Sequence, residues 1–193
     1  GLIPANPAAG RRRRLKRETP NRPHVEPEQL PALLKAAGKL GTDKKPSEYR
    51  PVAKAILTTL AGAGLRIGEA LDLEWRDVNL SSLTLKVRAS KTDAGVREVD
   101  LTPAVASALK ALKADRGTVD PRDPVFASVH YGREDRSRPA KLDRHRVRER
   151  ILKPSVKDAN KILKEQEIEQ MGSVTLHGLR RTFASLKFAA GDD

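Results

Sequence analysis

The 193-residue chain contains no cysteine, so disulfides, cysteine-ligated zinc and a thiol nucleophile are excluded. Aromatic residues make up only 3% of the sequence. This scarcity argues against a protein that binds single strands or RNA by stacking bases on aromatic side chains. No continuous apolar run is long enough to span a bilayer, and the first residues do not have the pattern of a signal peptide.

Positive charge is abundant. The sequence contains 38 lysines and arginines but only 25 acidic residues, which gives a formal net charge of +13. Such a chain is expected to meet a polyanion, and nucleic acid is the commonest one. A cytoplasmic protein that acts on DNA fits this composition. By composition alone an RNA-binding protein fits nearly as well, and an anionic membrane surface remains a third partner.

The first 24 residues are typical of an extended arm or interdomain linker. They contain four prolines, which remove backbone donors, and a run of like charges that repel one another. A disordered solubilising tail is the alternative interpretation. We therefore predict an arm over residues 1–24 and a folded domain over 25–193. The candidate DNA-binding residues of the arm are Arg11, Arg12, Arg13, Arg14, Lys16 and Arg17.

Apolar spacing predicts a mainly helical α+β domain with one small antiparallel β-hairpin. Leu83, Leu85 and Val87 alternate with polar residues and predict a strand. Turn residues at 92–95 then lead into a return strand, so 83–101 is predicted to be a hairpin with Lys91 near its tip. Helices are predicted from Pro27 to Gly38, over 51–60, from Leu65, and over 103–114, 143–170 and 176–189.

Two common kinds of ligand site are not supported by the residue spacing. The glycines at 61–68 follow a predicted helix instead of a strand, and their spacing departs from that of a dinucleotide-binding loop. The four histidines do not pair at metal-ligand spacing. No cofactor and no metal are therefore expected.

Three short segments carry candidate functional residues, although each has an ordinary structural alternative. Arg66 and Glu69 are one helical turn apart, so the carboxylate can hold the guanidinium, as in many surface ion pairs. Lys91 at a hairpin tip is usually only solvated. His177 and Arg180 share one face of a helix N-terminus that Thr175 can cap, which suits a phosphate.

Together these segments resemble the catalytic domain of the tyrosine recombinases, the phage-integrase-like enzymes. Residues 64–71 (GLRIGEAL) with 73–78 (LEWRDV) resemble the family's first-arginine motif. Residues 90–92 (SKT) and 95–99 (GVREV) look like its lysine-bearing hairpin, and 176–185 (LHGLRRTFAS) looks like its His-x-x-Arg motif. All three occur in the family's order.

The resemblance implies site-specific recombination of double-stranded DNA through a 3′-phosphotyrosine, without metal or ATP. By the same resemblance, Arg66 and Arg180 stabilise the charged phosphate and Lys91 protonates the leaving 5′ oxygen. His177 assists at the phosphate or in proton transfer, and Glu69 orients its neighbours. A homo-tetramer on DNA is implied for the full-length protein, while these residues alone can be monomeric.

The chain departs from the family pattern after the His-x-x-Arg helix, where the family has further helices and the nucleophilic tyrosine. Its only tyrosines are Tyr49 and Tyr131, and neither lies at the family's position. We therefore expect a fragment that is inactive by itself, with both tyrosines structural. The competing function is non-catalytic binding of duplex DNA.

The arm interpretation predicts a change in salt dependence. Deleting residues 1–24 should weaken binding to duplex DNA and flatten the plot of log affinity against log salt, by about 0.9 in slope for each lost phosphate contact. A salt titration of binding for the two chains measures this difference. An unchanged slope contradicts the prediction and identifies the arm as a passive tail.

Overall fold

The computed structural model describes residues 24–41, 45–88, 96–131 and 139–191. The basic arm, including Arg11–Arg14, Lys16 and Arg17, lies outside these ranges. The same holds for Lys91, so the predicted hairpin tip is not described. Within the described residues the predicted fold class is confirmed: the domain is mainly helical and contains a small antiparallel sheet.

Seven helices form the bulk of the described residues, and their order follows the sequence prediction with shifted ends. The second predicted helix extends to Gly62, the third begins at Ile67 instead of Leu65, and the segment predicted to reach residue 170 ends at Glu165. The helices are α1 Leu30–Gly38, α2 Arg50–Gly62, α3 Ile67–Leu71, α4 Pro103–Arg116, α5 Arg144–Arg146, α6 Lys153–Glu165 and α7 Leu176–Ala189.

Helix α2 is the centre of the core. It packs against α1 on one side and against α4 and α7 on others, while α6 covers α1. Its residues Ile56, Leu57 and Leu60 have no exposed surface. Burial of side chains of this size stabilises a fold by about 1.5–3 kcal/mol each. Because α2 is buried along most of its length, its C-terminal end has a fixed position, and so does the start of the turn that follows it.

The predicted hairpin belongs to a three-stranded sheet of β1 Val78–Asn79, β2 Thr84–Val87 and β3 Arg97–Asp100, in that order. Val87 pairs with Arg97 at the end nearest the undescribed tip. Leu85 and Val87 point into the core as predicted. Leu83 does not: it has φ 56° and is 41% exposed, because it belongs to the turn that enters β2.

The structure adds a second antiparallel sheet that the sequence did not predict, made of β4 Ala127–Tyr131 and β5 Pro139–Lys141. Tyr131, which the sequence suggested lies in a loop, ends β4. Both strands are short, β5 begins with a proline, and the pairing is irregular between Ala127 and Tyr131. These features leave no alternating pattern for a sequence to reveal.

A π-helical segment, Val147–Leu152, joins α5 to α6. Pro154 lies just beyond it, in the first turn of α6. Proline has no backbone N–H, and its ring collides with the carbonyl four residues earlier. A wider turn before Pro154 relieves that collision, so the helical path continues through the proline.

The first described residues are tied to the helix that carries Arg180. The Val25 N–H donates to Thr182 Oγ1 at 2.9 Å, and the Thr182 hydroxyl lies 3.1 Å from the Val25 carbonyl oxygen. Thr182 is fully buried. The point at which the N-terminal arm joins the domain is therefore fixed to α7.

Candidate functional site

The turn between α2 and α3 brings Arg66 to the surface. Gly64 has φ +60°, a conformation that glycine adopts without strain. Leu65 is then fully buried and Arg66 is extended, so that its side chain is 62% exposed. The turn thus buries one neighbour and presents the other to solvent, as the glycine-rich break in the sequence predicts.

Glu69 is the centre of the site. The spacing in the sequence predicts its contact with Arg66 but not its contacts with other residues. Its Oε2 accepts from the Arg66 backbone N–H at 2.8 Å, and its Oε1 accepts from Arg66 Nη1 at 2.9 Å. The first contact satisfies a free N–H at the start of α3. The second holds the guanidinium while its other donors face outward.

Arg97 from β3 binds the same carboxylate through both terminal nitrogens of its guanidinium group. Its Nη1 donates to Glu69 Oε1 at 3.2 Å and its Nη2 donates to Oε2 at 3.1 Å. A two-point contact of this kind fixes both distance and orientation. Arg97 therefore joins the sheet to α3 through a carboxylate whose side chain is only 6% exposed.

Arg180 reaches this cluster from α7. Its Nη1 donates to the Gly64 carbonyl oxygen at 2.5 Å and lies 3.8 Å from Glu69 Oε2. Phe183 packs directly on Gly64: a Cβ there would lie 2.3 Å from the Phe183 ring. Only glycine at position 64 lets α7 approach closely enough for Arg180 to reach the α2–α3 turn.

The cluster unites three guanidinium groups with one carboxylate. Burial alone raises the pKa of Glu69, but hydrogen bonds from Arg97 and Arg66 outweigh it and hold the pKa at about 2. Burial and then the neighbouring Arg66 lower the pKa of Arg180 from its ordinary value. Because arginine stays charged under these conditions, three positive charges share the one carboxylate of Glu69.

His177 lies on the first turn of α7, one turn before Arg180, and is exposed. Thr175 caps this helix as predicted, since its Oγ1 accepts from the Gly178 N–H at 2.9 Å. The described residues thus bring together Arg66, Glu69 and Arg180, with His177 on the same helix as Arg180. Lys91 and the basic arm lie outside the described residues, and their roles stay predictions.

Sequence reasoning missed Arg97 as a site residue. Arg97 stands in the segment GVREV that carried the hairpin resemblance, so its type and its place beside the tip were visible. Its partner was not, because 28 residues separate Arg97 from Glu69 in the chain. The intermediate burial of a charged residue on β3 is a tertiary fact that the strand pattern did not reveal.

Tyr49 lies far from this cluster, at the opposite end of α2. The 13-residue helix separates it from Gly64 by about 20 Å. Tyr49 is 7% exposed, and burial followed by a hydrogen bond to Glu48 raises its pKa above the ordinary value. This tyrosine is a core residue, as the sequence suggested.

Two familiar features are absent from the described residues. No helix in them is long and apolar enough to cross a bilayer. Within the same ranges, no three His, Cys, Asp or Glu side chains lie close enough together to hold a metal ion.

The chain belongs to the phage integrase family, whose family model matches residues 23–190. It is 29% identical over 145 residues to the tyrosine recombinase XerC of Rhizobium meliloti, covering 72% of this chain and 38% of that protein. It is 30% identical over 130 residues to y4gC of Sinorhizobium fredii, named as an integrase/recombinase, covering 67% of this chain and 65% of that protein. The chain thus spans under two thirds of either relative.

Solved structures of tyrosine recombinases share the fold. The crystal structure of XerA recombinase superposes with a TM-score of 0.59 at 24% identity, covering 93% of this chain and 54% of that one. The Tn1549 transposon integrase in complex with a circular intermediate DNA gives a TM-score of 0.66 at 18% identity, covering 93% and 57%. The fold predicted from the three motifs is therefore confirmed.

The low pKa of Glu69 predicts a pH-dependent stability. A carboxyl whose pKa falls from 4.5 to about 2 on folding stabilises the fold above pH 4.5 and loses that effect as the pH falls toward 2. This contribution is roughly 3 kcal/mol. Urea unfolding of Glu69→Gln and wild type from pH 7 to pH 3 should show a gap that narrows on acidification.

Glu98→Gln is the matched control, because it removes an exposed carboxylate from the strand that carries Arg97. Its unfolding free energy should follow that of wild type across the same pH range. A gap for Glu69→Gln that stays constant from pH 7 to pH 3 would mean that the carboxylate is not held in its charged form by the three arginines.

Proposed function

We propose that this chain forms the catalytic domain of a site-specific DNA recombinase that cleaves and rejoins duplex DNA through a 3′-phosphotyrosine. The observation that carries the proposal is the cluster of Arg66, Arg97 and Arg180 around the single carboxylate of Glu69. A cluster in which guanidinium groups outnumber the carboxylate that they share suits an anion. Membership of the phage integrase family makes a DNA phosphodiester the best-supported one.

The reaction is attack by a tyrosine hydroxyl oxygen on the phosphorus. The bond from phosphorus to the tyrosine oxygen forms while the bond to the 5′ oxygen breaks, so the number of phosphoester bonds is conserved and no ATP is needed. The tyrosine loses its proton, and the 5′ oxygen gains one. During the transfer, negative charge grows on the two non-bridging oxygens, and stabilising it requires donors already fixed in place.

Arg66 and Arg180 would bind those non-bridging oxygens. An arginine is always cationic, and its planar fork can contact two oxygens at once. Their charge takes the place of a divalent ion, as expected of a reaction without metal. Glu69 contacts both guanidinium groups on its own side, which leaves the exposed donors of Arg66 available to the substrate.

Lys91 would protonate the leaving 5′ oxygen, and His177 would hydrogen-bond the phosphate or assist proton transfer. Arg11–Arg14, Lys16 and Arg17 of the arm would contact the DNA backbone. The Val25–Thr182 hydrogen bonds support this use of the arm, because they fix the point where the arm joins the domain to a residue two positions after Arg180 on α7. The related Tn1549 integrase and XerH structures were determined with DNA. By the same kinship, a homo-tetramer would assemble on DNA, whereas residues 1–193 alone can be monomeric.

The second candidate function is duplex DNA binding without cleavage. It is favoured by one observation, the position of Tyr49, which is one of the two tyrosines of residues 1–193. Tyr49 is buried and about 20 Å from Gly64, at the other end of α2. Tyr131 belongs to β4, and the side chain of that residue lies outside the description.

The assigned roles predict different responses to one altered substrate. In the recombinase expressed from its gene, Arg66→Ala and Arg180→Ala should abolish cleavage and leave much of the DNA binding intact. Lys91→Ala should lose about 10²–10⁴ in rate, the usual range for a general acid. A 5′-bridging phosphorothiolate, whose thiolate leaving group needs no proton, should restore Lys91→Ala only. Equal rescue of the arginine variants would refute the assignment of the general acid.

The position of the tyrosines predicts that residues 1–193 bind duplex DNA but form no covalent adduct. Attack requires a nucleophile in line with the leaving oxygen, and such positioning contributes several kcal/mol. The assay uses a nicked, end-labelled duplex selected from a random library for binding to the chain, followed by a denaturing gel. A protein-linked band that disappears in Tyr49→Phe or Tyr131→Phe would overturn this prediction.

A further inference from the structure

We propose that Arg97 is a positioning residue that aligns Arg66 and Arg180 for the scissile phosphate through the carboxylate of Glu69. The inference rests on the proposed function and deepens it, because it adds a residue to the phosphate-binding cluster that touches no substrate atom in its assigned role. It also explains why a strand far away in the chain supplies a charge to a site built by α3 and α7.

The argument begins with how the two oxygens of Glu69 are shared. Each oxygen accepts one hydrogen bond from Arg66 and one from Arg97. Without Arg97, both oxygens would gain an open acceptor position facing two other guanidinium groups. Arg180 Nη1, now 3.8 Å from Oε2 and bonded to the Gly64 carbonyl oxygen, could then move onto Glu69. Arg66 could likewise turn a second donor inward.

Arg97 therefore keeps the other two arginines from collapsing onto the carboxylate. Arg66 donates one side-chain nitrogen to Glu69, and its side chain remains 62% exposed. Arg180 stays on the Gly64 carbonyl, at the side of the cluster where α7 begins. Such preorganisation matters because donors that must reorient during the reaction stabilise its transition state less well.

Electrostatics support the same role. Three guanidinium groups repel one another, and the Glu69 carboxylate, with its pKa of about 2, attracts all three. Arg97 contributes strongly to keeping that carboxylate charged. Arg97 is also the first residue of β3, paired with Val87, so the sheet fixes its backbone.

Arg88 offers a matched control, because it follows β2, the other strand of the same hairpin, and forms ion pairs there without contacting Glu69. Its Nε lies 2.7 Å from Asp77 Oδ1 and its Nη2 lies 3.1 Å from Glu74 Oε2. Arg88 and Arg97 flank residues 89–96 in the chain. Removing either arginine loosens the hairpin, but only removal of Arg97 changes the partners of Arg66 and Arg180.

The experiment compares Arg97→Met, Arg97→Lys and Arg88→Met in the recombinase expressed from its gene. Arg97→Met should lower the cleavage rate at saturating DNA about 10- to 100-fold, the scale of a misplaced catalytic group, and change DNA affinity by less than about threefold. Arg97→Lys, which keeps the charge without the fork, should recover part of the rate. Arg88→Met should stay within about threefold of wild type.

The phosphorothiolate substrate separates the two ways in which Arg97 could act. If Arg97 aligns the phosphate-binding arginines, this substrate leaves Arg97→Met as slow as before. Rescue of Arg97→Met to the extent seen for Lys91→Ala would overturn the proposal, because Arg97 would then act on the hairpin tip. Equal losses in Arg97→Met and Arg88→Met would overturn it too, since both would reflect loosening of the hairpin.

A second measurement does not depend on cleavage. Titration of the Glu69 side-chain carboxyl by ¹³C NMR should give a pKa near 2 in wild type and in Arg88→Met, and a higher value in Arg97→Met. An unchanged pKa in Arg97→Met, or an unfolded Arg97→Lys protein, would overturn the positioning role. If the wild-type recombinase expressed from its gene titrates as expected but forms no DNA adduct, the proposed recombinase function fails while the link between Arg97 and Glu69 stands.

Discussion

The arrangement of this domain depends on one carboxylate that holds three guanidinium groups which would otherwise repel one another. Glu69 contacts Arg66, which caps the start of its own helix, Arg97 on the sheet and Arg180 on α7. Three separate parts of the fold therefore meet at a single side chain, only 6% of which is exposed. Desolvation of an ion pair this buried offsets part of the attraction between its charges, but the hydrogen bonds from Arg97 and Arg66 still keep the carboxylate charged. Its role is to fix where the charges lie.

The backbone around Glu69 satisfies a second constraint, the close approach of α7 to the α2–α3 turn. Gly64 provides both a left-handed conformation and the space that Phe183 fills. Thr182, one residue earlier on α7, binds Val25 on the other side of the helix. The helix that carries Arg180 is thus held by a glycine contact, a hydroxyl and a capped first turn. These three contacts leave it little freedom to shift relative to α2.

The net charge of the cluster links this packing to chemistry. The guanidinium groups of Arg66, Arg97 and Arg180 outnumber the carboxylate of Glu69 that they share. Excess charge in a partly desolvated place costs free energy unless an anion occupies it. Fixed positive charges of this kind are what a phosphate with growing negative charge requires. The proposed reaction explains this excess of positive charge, because it requires a site that binds a phosphate. Stability alone does not explain it.

The sequence by itself determined the family, the order of the elements and most of the site. Its local signals were short-range: Arg66 and Glu69 are one turn apart, and Thr175, His177 and Arg180 begin one helix, so spacing alone brings each set together. Tertiary structure alone decided the partner of Arg97, the Gly64–Phe183 contact and the second sheet. Each of these joins residues distant in the chain, and β5 pairs through too few residues to leave a pattern. The spacing of residues in a sequence shows which of them share one face of a helix. Only the packing of the folded chain decides which elements contact one another, and at Glu69 those elements are α3, β3 and α7.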